Sequence, residues 1–217
     1  MTSTATRRVR VGPLDIEYDE RVLEPRPWTV AQSAWAAELL ASCPDGPILE
    51  ICSGAGQIGL AAAAISGRPA VLVDASAPAC DFARRNAVAA GLDGRVEVRH
   101  APMTEALAPE ERFPLVLADP PYIPSPDTGV FPDDPLTAID GGADGLALAR
   151  LCLEVGAAHL LPGGHLLVQL RDVAQAEQLV AGATLPLTRG EVRQFVGRGV
   201  VVHLRRTECA TDDGVVS

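Results

Sequence analysis

The sequence predicts an α/β fold, a doubly wound and mostly parallel sheet of seven strands that ends in an antiparallel hairpin. From residue 47 onward, short apolar runs alternate with longer segments of helical spacing, the order in which helices join parallel strands. A glycine-rich turn follows the first apolar run. Residues 191–206 form two apolar stretches around a glycine turn, which predicts the closing hairpin.

The composition is that of a globular protein with one core. The chain has 217 residues, of which 47% are hydrophobic and 21% are charged. A formal net charge of −10 argues against tight, unaided binding to nucleic acid, because such binding depends on neutralising phosphates. No apolar segment follows the basic N-terminus, and no run is long enough to span a membrane. We therefore expect a cytoplasmic protein without a membrane partner.

The cysteines and histidines show no spacing that indicates a metal site or a disulfide framework. The cysteines are odd in number, scattered, and without a C-x-x-C pair, which predicts reduced thiols and no bound metal. The histidines lack partners at ligand spacing and are expected to be structural. These residues are Cys43, Cys52, Cys80, Cys152 and Cys209, and His100, His159, His165 and His203.

The N-terminal segment is predicted to form a small hairpin and a helix that pack on the main domain. Residues 7–18 alternate polar and apolar side chains around a Gly-Pro turn, as hairpins do. Thr29 and Gln32 match the T-x-x-Q capping box, which predicts a helix that ends near Ser42. The predicted divisions are 1–45 for this segment, 46–206 for the main domain and 207–217 for a flexible tail.

Five strands and their connecting helices are predicted before the closing hairpin. The strands are residues 47–52, 70–74, 95–100, 113–119 and 164–170. Gly91 is expected to end the helix that follows the second strand. Asp144 is the predicted N-cap of the long helix before the fifth strand, and residues 173–183 form the last helix.

The turn after the first strand has Gly54, Gly56 and Gly59 in G-x-G-x-x-G order at the start of a helix. Such a turn lets the backbone approach a nucleotide closely, and the helix N-terminus offers free amides. Asp74 ends the second strand, where it would accept hydrogen bonds from ribose hydroxyls; its alternative role is to cap the next helix. A nicotinamide dinucleotide and S-adenosylmethionine both suit this turn, but Glu50 would repel a pyrophosphate and attract a sulfonium and an ammonium.

The fourth strand stops at Asp119-Pro120-Pro121-Tyr122. Because prolines cannot continue sheet pairing, this segment should be a stiff loop that presents Asp119 and Tyr122 at the strand end. The Asp119 carboxylate and the Pro120 carbonyl can hold both N–H hydrogens of an amide or aryl amine, and Tyr122 can lie against its plane. The alternative is that the segment is only a rigid turn. Next to the glycine loop and Asp74, the catalytic interpretation is favoured.

Together these motifs resemble the class I S-adenosylmethionine-dependent methyltransferases that modify amide or exocyclic amine nitrogens. More narrowly, "VLEPRPWT" is similar to the V-x-x-P-R-x-x-T segment of the HemK/PrmC glutamine methyltransferases. "FPLVLADPPYIP" is similar to their F-D-x-I-x-x-N-P-P-Y-I, and residues 138–170 to their A-L-x-G-G-x-D-G-L…L-x-x-G-G-x-L stretch. The resemblance covers residues from about 20 to about 170.

The resemblance implies a Rossmann-like methyltransferase fold, S-adenosylmethionine as cofactor, and N-methylation of a planar nitrogen. The implied acceptor is a protein glutamine side chain or a comparable group in a small metabolite. The alternative is a nucleic-acid base, because Asp119 replaces the family's usual Asn and is more typical of adenine and some guanine methyltransferases. The expected cofactor contacts are Thr29, Glu50, Cys52, Gly54, Gly56, Ile58, Asp74, Ala75, Met103 and Asp119.

Departures from the family pattern leave other functions open. Residues 101–103 are Ala-Pro-Met where the family usually has an acid and an aromatic, although Met103 can still pack on the adenine ring. The helical domain that precedes the core in bacterial release-factor enzymes is expected to be absent. A nicotinamide oxidoreductase would share the glycine loop, and a non-catalytic protein that works only in a complex would keep the cofactor fold. The oligomeric state is not predicted.

Overall fold

A computed structural model describes residues 5–195 and 198–207, and these residues contain nine strands and six α-helices. The strands are β1 (Arg7–Val11), β2 (Leu14–Tyr18), β3 (Ile48–Ile51), β4 (Ala70–Asp74), β5 (Val96–His100), β6 (Phe113–Ala118), β7 (Leu160–Leu170), β8 (Leu187–Phe195) and β9 (Gly199–Arg206). The helices are α1 (Val30–Leu40), α2 (Gln57–Ser66), α3 (Ala77–Ala89), α4 (Leu136–Ile139), α5 (Ala147–His159) and α6 (Val173–Ala181). Short 3-10 helices span Pro27–Thr29 and Ser125–Val130.

The main sheet has seven strands in the order β5-β4-β3-β6-β7-β9-β8. Its first five strands run parallel, and β9 pairs antiparallel with both β7 and β8. The strand order reverses between β3 and β6, so their carboxyl ends border the crevice where open α/β sheets bind ligands. The predicted doubly wound sheet with its closing hairpin is confirmed.

Each face of the sheet packs against its own apolar cluster. One cluster joins Trp35 of α1 and Leu60 of α2 to Leu72 and Leu115 of the sheet. The other joins helices α5 and α6 to alternate residues of the same strands, which point to the opposite face. Because both faces are covered, β3 and β6 are buried throughout and read as continuous apolar runs.

The N-terminal hairpin β1–β2 is tied to the main sheet by Asn86 of α3. The Asn86 side chain accepts a hydrogen bond from the Glu17 amide at 2.8 Å and donates to the Glu17 carbonyl at 3.0 Å and the Ala55 carbonyl at 2.9 Å. Asn86 is almost fully buried, and its bond to Ala55 is shielded from water, while the two bonds to Glu17 are partly buried. It thereby fixes the hairpin against the glycine turn that contains Ala55.

The predicted capping box at the start of α1 is wrong. Thr29 closes a 3-10 turn and has helical backbone angles, whereas a side-chain N-cap needs an extended backbone. Its hydroxyl donates to the Arg26 carbonyl at 2.8 Å, and Gln32 donates across the core to the Leu167 carbonyl at 3.1 Å. The helix ends at Leu40, before the predicted Ser42.

Three other element boundaries also differ from the sequence prediction. Asp144 is not the N-cap of α5, which begins after Leu146; it accepts a hydrogen bond from the Leu146 amide and pairs with Arg150. Strands β7 and β8 begin at Leu160 and Leu187, earlier than the predicted 164 and 191. The start of β7 contains Pro162 and two glycines, which are unfavourable in strands, so the sequence did not indicate a strand there. Its pairing with β6 is irregular.

Some predictions concern residues outside the described ranges or remain untested. The flexible tail and Cys209 lie outside the described residues, apart from Thr207. The division into 1–45 and 46–206 stays a prediction. None of the helices in the described ranges is both long and apolar enough to cross a membrane. Cys43, Cys52, Cys80 and Cys152 carry free thiols.

A histidine pair that the sequence did not predict lies between β7 and β9. His165 Nδ1 and His203 Nε2 are 2.8 Å apart, and the His203 ring meets Trp35 edge-on. Burial, followed by the charges of His203 and Arg205, lowers the pKa of His165 from 6.5 to about 4. Burial also lowers the pKa of His203. Both rings are therefore neutral near pH 7.

We expect the histidine pair to make the folded state less stable in mild acid. Unfolded histidines take up protons below pH ~6.5, whereas folded His165 does so only near pH 4, so the free energy of unfolding falls as pH drops through this window. The loss should be about 1–2 kcal/mol after allowance for solvent screening. Urea unfolding at pH 7 and pH 5 should show this fall in the free energy of unfolding in wild type. The fall should be smaller in His165→Gln/His203→Gln. The exposed His100→Gln serves as control, and an unchanged pH dependence in the double variant would contradict the prediction.

Candidate active site

Three carboxyl groups lie at or near the carboxyl ends of β3, β4 and β6. They belong to Glu50, Asp74 and Asp119, on strands that are neighbours in the sheet. Burial, together with the charges of Asp119 and Asp74, raises the pKa of Glu50 well above its usual value. Burial also raises the pKa of Asp74 and Asp119. Ionising all three groups at once is therefore unfavourable, and a cationic ligand would favour their ionised forms, whereas a pyrophosphate would oppose them.

Asp74 fixes the glycine turn with its two carboxylate oxygens. One accepts a hydrogen bond from the Gly54 amide at 2.8 Å, and the other accepts one from the Ser76 amide at 2.8 Å. The alternative role for Asp74, a helix cap, is wrong, because the N-cap of α3 is Ser76, whose hydroxyl accepts from the Ala79 amide. The partly exposed Asp74 carboxylate therefore borders the glycine turn at the strand end.

Gly56 and Gly59 are required by close packing. Gly56 has a φ of +84°, and a Cβ there would lie 2.9 Å from Leu72 Cδ2. The Gly59 amide donates to Glu50 Oε2 at 3.0 Å, and a Cβ on Gly59 would collide with that oxygen. Any side chain at Gly59 would displace the buried Glu50 carboxylate.

The glycine turn contains buried polar atoms that suit a ligand which donates hydrogen bonds. Glu50 Oε1, Ser53 Oγ and Gln57 Oε1 are buried without a hydrogen-bond partner among the described residues. Buried acceptors of this kind normally have partners. An ammonium or a ribose hydroxyl supplies the missing donors. This chemistry and the three carboxyl groups fit S-adenosylmethionine, for which Asp74 and the turn of residues 50–57 would form the site.

The other expected cofactor contacts lie in different surroundings. Cys52 has a φ of +58°, the one positive φ among the described non-glycine residues, and packs half-buried against the cluster that contains Cys152. Met103 packs against the same cluster, with its Sδ 3.8 Å from the Cys152 Sγ. Ala75 is exposed directly after Asp74. The Ile58 side chain lies in the core, so at Ile58 only the backbone at the start of α2 is available to a ligand.

A cavity of about 540 Å³ lies beyond the end of β6. Asp119, Pro120, Pro121 and Tyr122 line it together, as their predicted catalytic role requires, and Thr29 also lines it. Pro120 and Pro121 are buried, while Asp119 and Tyr122 remain partly accessible. Thr29 and Asp119, two of the expected cofactor contacts, therefore line this cavity, whereas Asp74 and the residues of the glycine turn do not.

Asp119 is poised to change protonation near neutral pH. Burial raises its pKa from 3.8 to about 7, against a smaller lowering by the positive charge of Arg26. Within the described residues, no hydrogen bond or ion pair engages its carboxylate. Burial, with the nearby charge of Asp119, also raises the pKa of Tyr122. A neutral phenol therefore stands beside a carboxylate that is free to accept hydrogen bonds from a ligand.

Most of the other residues that line the cavity were not predicted from the sequence. Trp28 and Phe195 close one side, with ring centroids 6.0 Å apart, and Arg171 and Arg198 reach it from the loop after β7 and the β8–β9 turn. Arg26, which the resemblance motif contains, bridges to Asp134 at 3.2 Å. The aromatic residue in "PRPWT" was a local signal, but nothing local indicated the approach of the β8–β9 hairpin. Within the described ranges, no group of three or more potential ligands is placed to hold a metal ion.

Comparisons with known proteins agree with this geometry. The profile of a family described as "Methyltransferase small domain" matches residues 32–130. The chain is similar to the release factor glutamine methyltransferase of Deinococcus radiodurans, 34% identical over 207 residues that cover 93% of this chain and 73% of that protein. It is also similar to the release factor glutamine methyltransferase of Gloeobacter violaceus, 34% identical over 72% of this chain and 57% of that protein.

A solved structure shows the same fold. The RNA methyltransferase from Salinibacter ruber, determined in complex with S-adenosyl-L-homocysteine, superposes with a TM-score of 0.58 at 18% identity. The match covers 88% of this chain and 98% of that one. At this level of identity the likeness concerns the fold alone.

Proposed function

The chain belongs to the family of release factor glutamine methyltransferases, the HemK/PrmC family, and from that premise we propose that it methylates the side-chain amide nitrogen of a glutamine in a protein. Family membership confirms the predicted enzyme class and S-adenosylmethionine as cofactor. The chain spans 57% and 73% of the two relatives above, so their acceptor is a proposal for this chain.

The observation that carries the proposal is that Asp119-Pro120-Pro121-Tyr122 line a cavity at the end of β6, the strand that pairs with β3, which leads into the glycine turn. S-adenosylmethionine supplies an electrophilic methyl group. The amide nitrogen of glutamine is a poor nucleophile because its lone pair is delocalised. The Asp119 carboxylate and the Pro120 carbonyl can accept its two N–H hydrogens, which orients the nitrogen and stabilises the positive charge that develops on it. Tyr122 offers a planar surface to the amide.

Other acceptors are less well supported. A nucleic-acid base was the alternative, but the relatives above are named for a protein glutamine, and the chain's net charge is −10. An amide in a small metabolite shares the chemistry of the glutamine side chain. A nicotinamide oxidoreductase is opposed by the carboxylates around the glycine turn. We therefore place a protein glutamine first.

The proposal is tested by incubating the protein with S-adenosylmethionine and an unmethylated bacterial release factor. We expect a mass increase of one methyl group on one glutamine of the release factor, located by tandem mass spectrometry. Asp119→Ala serves as the inactive control. Modification of a ribosomal RNA or tRNA fragment, with no product on the release factor, would overturn the proposal.

A further inference from the structure

Exposed apolar side chains are concentrated on residues 124–139, here called the rim loop. Of the five large hydrophobic side chains exposed in the described residues, three belong to this loop. They are Val130, Phe131 and Leu136, with exposed fractions of 74%, 41% and 58%. The other two, Ile65 and Val88, stand singly on α2 and α3. Single exposed apolar residues are common, whereas a local group of them marks an interaction site.

The rim loop is held in place by contacts at its base and farther along the loop. At its base, the Ile123 amide donates to the Ile139 carbonyl at 2.9 Å, and the Ser125 hydroxyl bonds to Asp140 at 2.7 Å. Away from the base, Asp134 of the loop pairs with Arg26. The loop also contains four prolines, at 124, 126, 132 and 135. Because the loop is already ordered, its apolar side chains can bind a partner at a small entropic cost.

The rim loop is acidic, and it is continuous with the cavity at the end of β6 that is proposed to hold the acceptor glutamine. Its residues Phe131, Asp134 and Ile139 line that cavity. The loop has three aspartates and no lysine or arginine. Asp127 and Asp134 pair with Arg171 and Arg26, whereas exposed Asp133 forms no ion pair with the described residues. Asp133 beside exposed apolar side chains suits a partner with an apolar side chain next to a basic one.

We infer that the rim loop is the docking surface for the acceptor protein, which seats an apolar side chain on Val130 and Leu136 and a lysine or arginine against Asp133. The inference rests on the proposed function and adds how the protein partner is recognised outside the cavity. A short peptide that enters only the cavity makes none of these contacts. Docking on the rim loop therefore favours an intact folded acceptor over a peptide with the same glutamine.

The apolar contact is tested with Val130→Ser/Leu136→Ser, neither of which lines the cavity. We expect KM for intact unmethylated release factor to rise about tenfold, because a few central contacts carry most of the binding energy of an interface. The kcat, the KM for a short peptide carrying the same glutamine, and the Kd of S-adenosylmethionine should stay unchanged. Ile65→Ser/Val88→Ser removes equivalent exposed apolar surface elsewhere and should behave as wild type. An equal KM in the two double variants would overturn the inference.

The charge contact is tested with Asp133→Asn. We expect this variant to raise KM for the release factor several-fold at low salt and to weaken the salt dependence of KM. Asp93→Asn removes the same charge from an exposed site away from the rim loop and should not change KM. If wild type methylates the release factor but both variants match it, the docking surface is wrong and the function stands. If wild type methylates neither release factor nor peptide, the proposed function fails and the inference falls with it.

Discussion

Asp119→Ala should reduce kcat for methyl transfer about a hundred- to a thousandfold, the usual effect of removing one preorganised group that stabilises developing charge. The carboxylate lies in the cavity at the end of β6, free of hydrogen bonds and ion pairs among the described residues. Without it, only the Pro120 carbonyl remains to orient the acceptor amide. The measurement is single-turnover methylation of the release factor with saturating S-adenosylmethionine. A single-turnover rate constant within threefold of wild type would show that Asp119 does not act on the acceptor.

The pKa of Asp119 makes this effect depend on pH. With a pKa of about 7, the carboxylate fraction rises about tenfold between pH 6 and pH 8, and kcat should rise with it. Asp119→Asn keeps a carbonyl acceptor and cannot ionise. We expect this variant to retain more activity than Asp119→Ala and to lose the rise through pH 7. A wild-type profile that is flat between pH 6 and pH 8 would contradict the assignment.

Stability measurements show whether an Asp119 variant is inactive because catalysis is lost or because the protein is unfolded. The folded pKa of Asp119 is raised above its usual 3.8, so the ionised group makes the folded state less stable as pH rises from about 4 through 7. Replacing it removes that cost. Asp119→Asn should therefore unfold at a higher temperature than wild type at pH 8, and the difference should shrink toward pH 4. An inactive variant with this gain in stability has lost catalysis and not its fold.

The fold was largely predictable from sequence because its signals are local. Apolar runs such as residues 70–74 are bounded by turn residues, and Gly91, with a φ of +67°, lies just past the end of α3 as predicted. The prediction failed where tertiary contacts override local preference. Thr29 is drawn into a 3-10 turn, and β7 begins at Leu160, which pairs with Phe113 of β6 ahead of the glycines at 163 and 164.

The candidate site was predictable in part, for the same reason. Asp74, Asp119 and the glycines each end a strand or open a helix, and parallel strands bring such ends together at one edge. The contribution of Phe195 and Arg198 depends on how the last hairpin folds back over the cavity, which no local pattern encodes. The pKa of Asp119 likewise depends on burial by neighbours distant in sequence.

Asp74→Ala should lower the affinity for S-adenosylmethionine by about a hundred- to a thousandfold. Hydrogen bonds to a charged group contribute about 1.5–3 kcal/mol each, and we propose that the carboxylate accepts from both ribose hydroxyls. It also holds the Gly54 and Ser76 amides, so its removal loosens the turn that borders the ligand. Asp74→Asn keeps one acceptor oxygen and should lose less affinity.

The affinity is measured by calorimetric titration of S-adenosylmethionine and S-adenosylhomocysteine into wild type and both variants. Asp81→Ala is the matched control, because it removes an exposed carboxylate from α3 that pairs only with Arg84 among the described residues. That control should bind as wild type does. Because Asp74 also shapes the turn, circular dichroism and thermal unfolding without ligand must show that Asp74→Ala is folded. A folded Asp74→Ala that binds within threefold of wild type would remove Asp74 from the ribose site and leave the turn's buried acceptors, Glu50 Oε1, Ser53 Oγ and Gln57 Oε1, as the groups that hold the cofactor.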